Sequence, residues 1–230
     1  EGQDFLRPWL ETLQGLLRDQ ESGVFWVFHD PGQAIRQADV VAELGLVPLR
    51  LFEDHRNTGE IAALASRFRA DGEVVRVSRE QGEQVQVIPA KPGQDSDALD
   101  QVMRILRGTE RVSADRIAVL SGKSASRSDV WARREFAGDR LANEAIEDNG
   151  RSKRLPPHLV PPEPAGSVLF ETIRRFKGME HDVVILLELP EEHERLDQLM
   201  YVAITRATTH LTIIAPPSLA ARLTAEVPTD

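Results

Sequence analysis

The chain contains 230 residues, 41% of them hydrophobic and 28% charged, with a formal net charge of −9, a composition that is typical of globular proteins and excludes a disordered or fibrous chain. It has no cysteine, which excludes disulfides, cysteine-ligated zinc and a cysteine nucleophile and fits a reducing, cytoplasmic compartment. No apolar run approaches the ~20 residues of a membrane helix, and the acidic balance argues against a protein that coats nucleic acid with its whole surface.

The predicted elements alternate between helices and short strands along the chain. A helix over residues 4–22 is followed by the apolar run 24–28, which is typical of a strand buried on both faces. Further strands are predicted at 47–52, 85–88, 117–120, 168–170, 183–187 and 211–214, and further helices at 59–69, 96–107 and 194–207. This alternation predicts an α/β fold with a mainly parallel sheet flanked by helices.

Charge and proline are unevenly distributed. Residues 116–154 carry nine Lys or Arg and six Asp or Glu, giving +3, so the rest of the chain sums to −12. This stretch is the best candidate for a surface that faces phosphates, although a solvated helix face beside a loop explains its charge equally well. Residues 150–166 contain five prolines and predict an exposed, irregular connector.

A phosphate-loop interpretation of the segment from Ser121 to Ser124 fails. The segment reads Ser-Gly-Lys-Ser and follows a predicted strand, but the loop requires a glycine five residues before its second glycine. Ile117 occupies that position, so backbone N–H groups cannot wrap a phosphate in the required way.

Several short motifs become specific when they are taken in order. The chain opens with Glu-Gly-Gln-Asp before a helix, and Asp-Pro-Gly-Gln at 30–33 follows an apolar run. His-Arg-Asn-Thr occupies 55–58, Thr-Ile-Arg-Arg-Phe-Lys-Gly-Met-Glu occupies 172–180, and Tyr-Val-Ala-Ile-Thr-Arg-Ala occupies 201–207. In this order they resemble the motifs of superfamily 1 DNA helicases of the UvrD/Rep type.

The resemblance implies a domain organisation. Residues 46–230 would form the second RecA-like domain, of the P-loop NTPase type, and residues 1–45 would be a C-terminal remnant of the first motor domain. The sequence between the motifs is too short for the large accessory insertion of UvrD-like helicases. The chain begins inside the Asp-Glu-x-Gln-Asp motif, whose first acidic residue would precede Glu1.

The resemblance also implies catalytic roles. Glu1 would be the catalytic base and, with the preceding acidic residue, would help to hold Mg²⁺, while Gln33 would sense the γ-phosphate of ATP. Arg56 and Arg206 would be arginine fingers, for which a planar and permanently charged guanidinium is suited. Other interpretations stay open: Gln33 could finish a turn, Arg56 could pair with a nearby glutamate, and Arg206 could complement a helix dipole.

Further residues are assigned to nucleotide and DNA by the same resemblance. Gly178 would allow close backbone approach, and Glu180 would accept a hydrogen bond from the ribose or hold its loop. The candidate DNA contacts are Ser121, Arg127, Thr172 and Arg174. Arg174 stands where the family often has histidine, and the residues after Gln33 lack the aromatics that would stack on bases, which puts base stacking there in doubt.

The expected function is the C-terminal part of an ATP-dependent DNA helicase or translocase. Its cofactors would be ATP and Mg²⁺, and its partner would be single-stranded or partly duplex DNA. The chain alone is expected to be inactive, because the phosphate loop is missing from its sequence. Two alternatives are a non-enzymatic binding module derived from a motor and the motor part of a nuclease system.

Overall fold

The computed structural model describes residues 2–19, 22–34, 40–69, 76–79, 82–143, 145–146, 150 and 166–225. The helices are α1 (Arg7–Gly15), α2 (Gly59–Ser66), α3 (Asp95–Arg104), α4 (Asp129–Arg133), α5 (Leu196–Ile204) and α6 (Pro217–Thr224). The strands are β1 (Glu53–Thr58), β2 (Arg76–Arg79), β3 (Gln86–Pro89), β4 (Ile117–Ser121), β5 (Glu135–Phe136), β6 (Asp139–Ala142), β7 (Val168–Thr172), β8 (His181–Leu187) and β9 (Ala207–Ala215). Glu1 and residues 151–165, most of the predicted connector, lie outside the described residues.

The described strands form one large sheet and one small one. The large sheet has the order β3-β9-β8-β4-β7-β6-β5, and its neighbours are parallel except for the hairpin of β5 and β6. Strands β1 and β2 pair in parallel as a separate two-stranded sheet. The predicted α/β class with a mainly parallel sheet is confirmed.

The burial of the central strand β4 on both faces explains why its sequence is almost continuously apolar. All five of its residues are buried. Because side chains alternate between the two faces of a strand, Ala118 and Leu120 pack in a core with α2, α5 and α6, while Ile117 and Val119 pack in a second core with α3 and α4. A strand covered by helices on both faces needs apolar residues at every position.

Two predicted strands, 24–28 and 47–52, are wrong. Neither run forms a strand, and their large side chains are exposed: Val24, Trp26, Phe28, Val47, Leu49, Leu51 and Phe52. A strand needs a continuous hydrogen-bonded neighbour, and among the described residues the run 24–28 pairs with no strand, although the Phe28 carbonyl accepts a hydrogen bond from the Gly2 N–H at 2.8 Å. Strand β1 begins instead at Glu53. The residue before it, Phe52, already accepts a hydrogen bond at its carbonyl from the N–H of Arg76 in β2.

The helices are shorter than predicted, most of all the first, for which α1 spans Arg7–Gly15 where the sequence predicts 4–22. The helix predicted over 4–22 is α1, which starts at Arg7 with Pro8 in its first turn, where a missing N–H has no cost. The C-terminal end of α3 passes into a π-helical turn over Ile105–Thr109. Among the described helices, none has both the length and the apolar character needed to cross a bilayer.

Candidate functional site

The sequence motifs lie at the two opposite edges of the large sheet. Arg116, His181 and Ala207 stand at the amino ends of β4, β8 and β9, whereas Ser121 and Thr172 stand at the carboxyl ends of β4 and β7. Because these strands are parallel, the residues at their amino ends share one edge and those at their carboxyl ends share the other. We call these the amino edge and the carboxyl edge.

A cavity of about 420 Å³ opens at the amino edge. It is lined by His55, Arg56, Arg79, Asp115, Arg116, Glu180, His181, Asp182 and Thr208. Two of the sequence-predicted site residues, Arg56 and Glu180, are therefore brought together. Nε of Arg56 lies 2.5 Å from Oε2 of Glu180, and both side chains are about half exposed.

Neighbouring residues fix the backbone beside Arg56. Arg79 donates from Nη1 to the Arg56 carbonyl at 2.9 Å. Asn57, which is 2% exposed, donates from Nδ2 to the carbonyls of Thr205 at 3.3 Å and Ala207 at 2.6 Å. The buried amide thus ties β1 to the two residues that flank Arg206. Sequence reasoning quoted Asn57 within a motif but gave it no role.

Arg206 is buried and does not line the cavity. Its side chain is 1% exposed, and its guanidinium donates to the Val202 carbonyl (2.9 Å), the Met179 carbonyl (3.0 Å) and Oγ1 of Thr205 (3.0 Å). These bonds connect the 172–180 motif to the 201–207 motif. In this conformation, the guanidinium atoms are directed at protein oxygens rather than at the cavity.

A second network joins the Asp30–Gln33 motif to α5. The Tyr201 hydroxyl donates to Oδ2 of Asp30 at 2.9 Å and accepts from Nη1 of Arg69 at 3.1 Å, while Gln33 Nε2 also donates to Asp30 Oδ2 at 2.9 Å. Burial, and then the charge of Asp30, raises the pKa of Tyr201, so the phenol stays a donor. Among the described residues, the buried Gln33 Oε1 atom has no hydrogen-bond partner.

Lys177 connects three motifs. Its Nζ lies 2.6 Å from Oδ1 of Asp4 and donates to the Gln33 carbonyl at 2.7 Å. The side chain of Lys177 is 11% exposed and that of Asp4 is 34% exposed, so the ammonium group is the more shielded member of the pair. The structure therefore brings the first, second and fourth motifs of the sequence into direct contact, although more than 140 residues separate Gln33 from Lys177.

The candidate DNA contacts gather at the carboxyl edge. Ser121 and Thr172 are paired residues of β4 and β7, and the Ile173 N–H donates to the Ser121 carbonyl at 3.0 Å. Arg127 and Arg174 lie in the loops that follow these strands, and both are exposed. Ser121 itself is 1% exposed and donates its hydroxyl to Oε2 of Glu188 at 2.6 Å, a carboxylate that sequence reasoning missed.

The amino edge also contains perturbed ionisable groups. Burial lowers the pKa of His181, whose Nε2 lies 3.1 Å from the Asp115 carbonyl and so donates to it as neutral imidazole. The hydrogen bond from Arg116 lowers the pKa of Asp182. The cavity therefore has mixed charge, with guanidinium groups and carboxylates already paired at its rim.

The described residues do not by themselves form a metal centre. Within them, no group of three His, Cys, Asp or Glu side chains is placed to hold an ion. Asp4 is paired with Lys177, and Asp30 accepts from Tyr201 and Gln33. Glu1, the residue that sequence reasoning assigned to Mg²⁺, lies outside the described residues.

Comparison with known proteins confirms the resemblance drawn from the motifs. Residues 167–214 match the family model of the UvrD-like helicase C-terminal domain. The fold is similar to the crystal structure of the C-terminal domain of a possible DNA helicase from Lactobacillus plantarum WCFS1, at a TM-score of 0.51 and 22% sequence identity, covering 74% of this chain and 92% of that chain. No curated protein matches the chain.

Proposed function

We propose that this chain is the C-terminal motor part of an ATP-dependent DNA helicase or translocase. The observation that carries the proposal is the separation of its motif residues onto the two edges of one sheet. Arg56, Glu180 and the backbone of Arg206 stand at the amino edge, and Ser121, Arg127, Thr172 and Arg174 stand at the carboxyl edge. A motor needs such a separation, because nucleotide and track must be bound at the same time.

The nucleotide would be bound at the amino edge. Arg56 is half exposed at the rim of the cavity, and among the described residues its ion pair is with the exposed Glu180, so its guanidinium can turn to a phosphate at little cost. Arg206 would reach the same phosphates only after its bonds to Met179 and Val202 are exchanged. Closure of a partner motor domain over the cavity would supply that exchange. ATP brings the phosphoryl group, and Mg²⁺ would be held outside the described residues.

The segment between β7 and β8 would couple the two edges. Residues 173–180 leave the carboxyl edge after Thr172 and reach the amino edge at His181 without forming a helix. Ile173 and Phe176 are buried along the way, and Gly178 adopts a φ of +85°, which favours glycine. Glu180 contacts Arg56 at one end of this segment, and Thr172 pairs with Ser121 at the other.

Residues 1–45 would belong to the first motor domain. Their apolar side chains support this, because Leu6, Trp9, Leu13, Leu16, Val24, Trp26 and Phe28 are all exposed. An exposed apolar surface of this kind marks an interface. We propose that upstream parts of the same polypeptide cover it, and that residues 46–230 form the second RecA-like domain.

The proposal is tested by ATP hydrolysis in the parent protein that contains this chain. We expect DNA-stimulated turnover in the parent protein and none in the 230-residue chain, because the sequence lacks the phosphate loop. ATP hydrolysis by the 230-residue chain alone, at the rate of the parent protein, would refute the proposal that the phosphate loop is supplied from outside this chain. A parent protein that binds DNA but lacks both a phosphate loop and DNA-stimulated hydrolysis would favour a non-enzymatic binding module.

A further inference from the structure

Glu188 is a buried carboxylate that the motifs do not include. It follows β8 directly, is 4% exposed and has a φ of +51°, a conformation that costs a non-glycine residue about 1 kcal/mol or more. Such a residue persists only where its surroundings fix it. Its N–H donates to Oδ1 of Asp95 at the start of α3, at 2.8 Å.

The carboxylate of Glu188 holds both ends of the loop that follows β4. Its Oε2 accepts the hydroxyl hydrogen bond of Ser121 at 2.6 Å, and its Oε1 accepts from the Asp129 N–H at 2.9 Å. Nζ of Lys123 lies 3.6 Å from the same Oε1. One side chain therefore clamps the loop where it leaves the sheet and where α4 begins.

Backbone contacts reinforce the clamp. The Gly122 N–H donates to the Leu187 carbonyl at 3.0 Å, and a Cβ on Gly122 would lie 2.6 Å from the Glu188 carbonyl oxygen. The loop therefore packs closely against the residue that follows β8. Between its two fixed ends lie Lys123 and Arg127, the exposed cations of the carboxyl edge that belong to this loop.

We infer that Glu188 is a positioning residue for DNA, which presents Lys123 and Arg127 to the phosphate backbone by clamping residues 121–129. This inference rests on the proposed DNA contact at the carboxyl edge. It assigns an acidic residue a favourable effect on binding to a polyanion. Charge alone predicts the opposite effect, because a nearby carboxylate repels phosphates.

Two substitutions separate geometry from charge. Glu188→Asp keeps the charge and tolerates a positive φ, but its side chain is one methylene shorter and cannot reach Ser121 and Asp129 together. Glu188→Gln removes the charge and keeps the length: its amide oxygen can accept from the Asp129 N–H while its NH₂ donates to the Ser121 hydroxyl. Glu191→Gln, in the exposed loop that follows, is the matched control for loss of one negative charge.

The test is the affinity of the 230-residue chain for a fluorescein-labelled oligothymidylate, measured by anisotropy over a range of salt concentrations, with thermal melts to confirm folding. We expect Glu188→Asp to weaken binding about five-fold and to reduce the salt slope by about 0.7, the loss of one phosphate contact to a single strand. Glu188→Gln should bind more tightly than Glu188→Asp.

Other outcomes overturn specific statements. If Glu188→Asp binds as the native chain does, or if the Asp and Gln variants bind alike, the positioning role is wrong. Arg127→Ala separates this failure from that of the proposed function. If Arg127→Ala and Arg174→Ala both leave affinity and salt slope unchanged, the carboxyl edge is not the DNA surface. If Arg127→Ala weakens binding while Glu188→Asp does not, only the inference about Glu188 fails.

Discussion

The hydroxyl of Tyr201 donates a 2.9 Å hydrogen bond to a carboxylate oxygen of Asp30, a residue 171 positions earlier in the chain. This bond joins a motif in the N-terminal segment to a helix that packs on the large sheet. Arg69 donates to the same hydroxyl, so the phenol lies between a cation and an anion. Together with the Lys177–Asp4 pair, it attaches residues 2–34 to the rest of the described fold.

Tyr201 and Asp30 should be energetically coupled through their hydrogen bond. Tyr201→Phe removes a hydroxyl bonded to a charged group, for which about 1.5–3 kcal/mol of unfolding free energy is expected. Urea denaturation of Tyr201→Phe, Asp30→Asn and the double variant measures the coupling. We expect the double variant to lose less than the sum of the single variants by about 1 kcal/mol or more. Additive losses would show that the bond contributes nothing of its own.

Arg56 and Arg206 should respond differently to truncation. Arg56→Ala removes an exposed ion pair, so it should change the free energy of unfolding of the chain by less than about 1 kcal/mol. Arg206→Ala removes three hydrogen bonds of a buried guanidinium and leaves a cavity, so a loss on the order of 3 kcal/mol is expected. Thermal or urea unfolding of both variants checks this order.

Because Arg56→Ala should preserve the fold, it is the cleaner probe of catalysis. In the parent protein, we expect it to lower DNA-stimulated ATP turnover by about 10³-fold, as for arginine fingers in other phosphoryl-transfer systems. Arg56→Lys keeps the charge but loses the planar guanidinium, so its ATP turnover should lie between that of the native protein and that of Arg56→Ala. Native turnover in Arg56→Ala would remove Arg56 from the phosphate site.

Arg174 should contact a DNA phosphate, whereas Arg116 should not. Arg174 is exposed at the carboxyl edge, where Nη2 donates to Nε2 of His193 at 3.1 Å, and Arg116 lies before β4 at the amino edge, paired with Asp182. We expect Arg174→Ala to weaken oligothymidylate binding and to reduce the salt slope by about 0.7. Arg116→Ala removes the same charge from the opposite edge. Equal effects of the two variants would mean that only net charge matters.

Two of the three tryptophans should be accessible to a quencher. Trp9 is 56% exposed and Trp26 is 63% exposed, whereas Trp131 is 2% exposed and stacks on Phe170. Acrylamide should therefore quench the emission of Trp9 and Trp26 and spare that of Trp131, and Trp131→Phe should remove the protected part. In the parent protein, Trp26 should become protected if upstream residues cover this surface. Unchanged quenching there would refute that coverage.

Stability should decrease as the pH falls below the ordinary pKa of histidine. Burial lowers the pKa of His181 in the folded state from 6.5, so the unfolded chain binds a proton first and folding is penalised between 6.5 and the lower folded value. Asp182, whose pKa is also lowered, acts only below 3.8 and so outside this window. His181→Gln keeps a donor for the Asp115 carbonyl and should reduce the loss of melting temperature between pH 7.5 and 5.5. An identical loss in both proteins would contradict this.

The sequence predicts the sheet well because its strands are buried. β4, β7, β8 and β9 are largely buried, and the apolar runs that they contain are sufficient to locate them. The runs 24–28 and 47–52 have the same pattern but form no strand here. An apolar run predicts that its side chains are buried. It does not indicate whether they pack against the described residues or against another part of the protein.

The site is predictable only in part, for similar reasons. The motifs identify Arg56, Glu180 and Gln33, and the structure brings the first two together at 2.5 Å. The burial of Arg206 depends on the carbonyls of Val202 and Met179, whose directions a sequence does not encode. Glu188 was missed because a single glutamate after a strand carries no pattern. Its significance lies in two partners, Ser121 and Asp129, that only the fold places within reach.

The pairing of β3 with β9 has a consequence for how the protein is made. Gln86 is paired with Thr212, and the described residues place β3 next to no other strand. Strand β3 therefore leaves the ribosome well before β9, its neighbour among the described strands, is synthesised, and the backbone groups of β3 that face β9 stay unpaired until then. Contacts of such high sequence separation slow folding. Premature termination before residue 207 would thus expose the edges of β3 and β8 together and leave a nascent chain that requires chaperones.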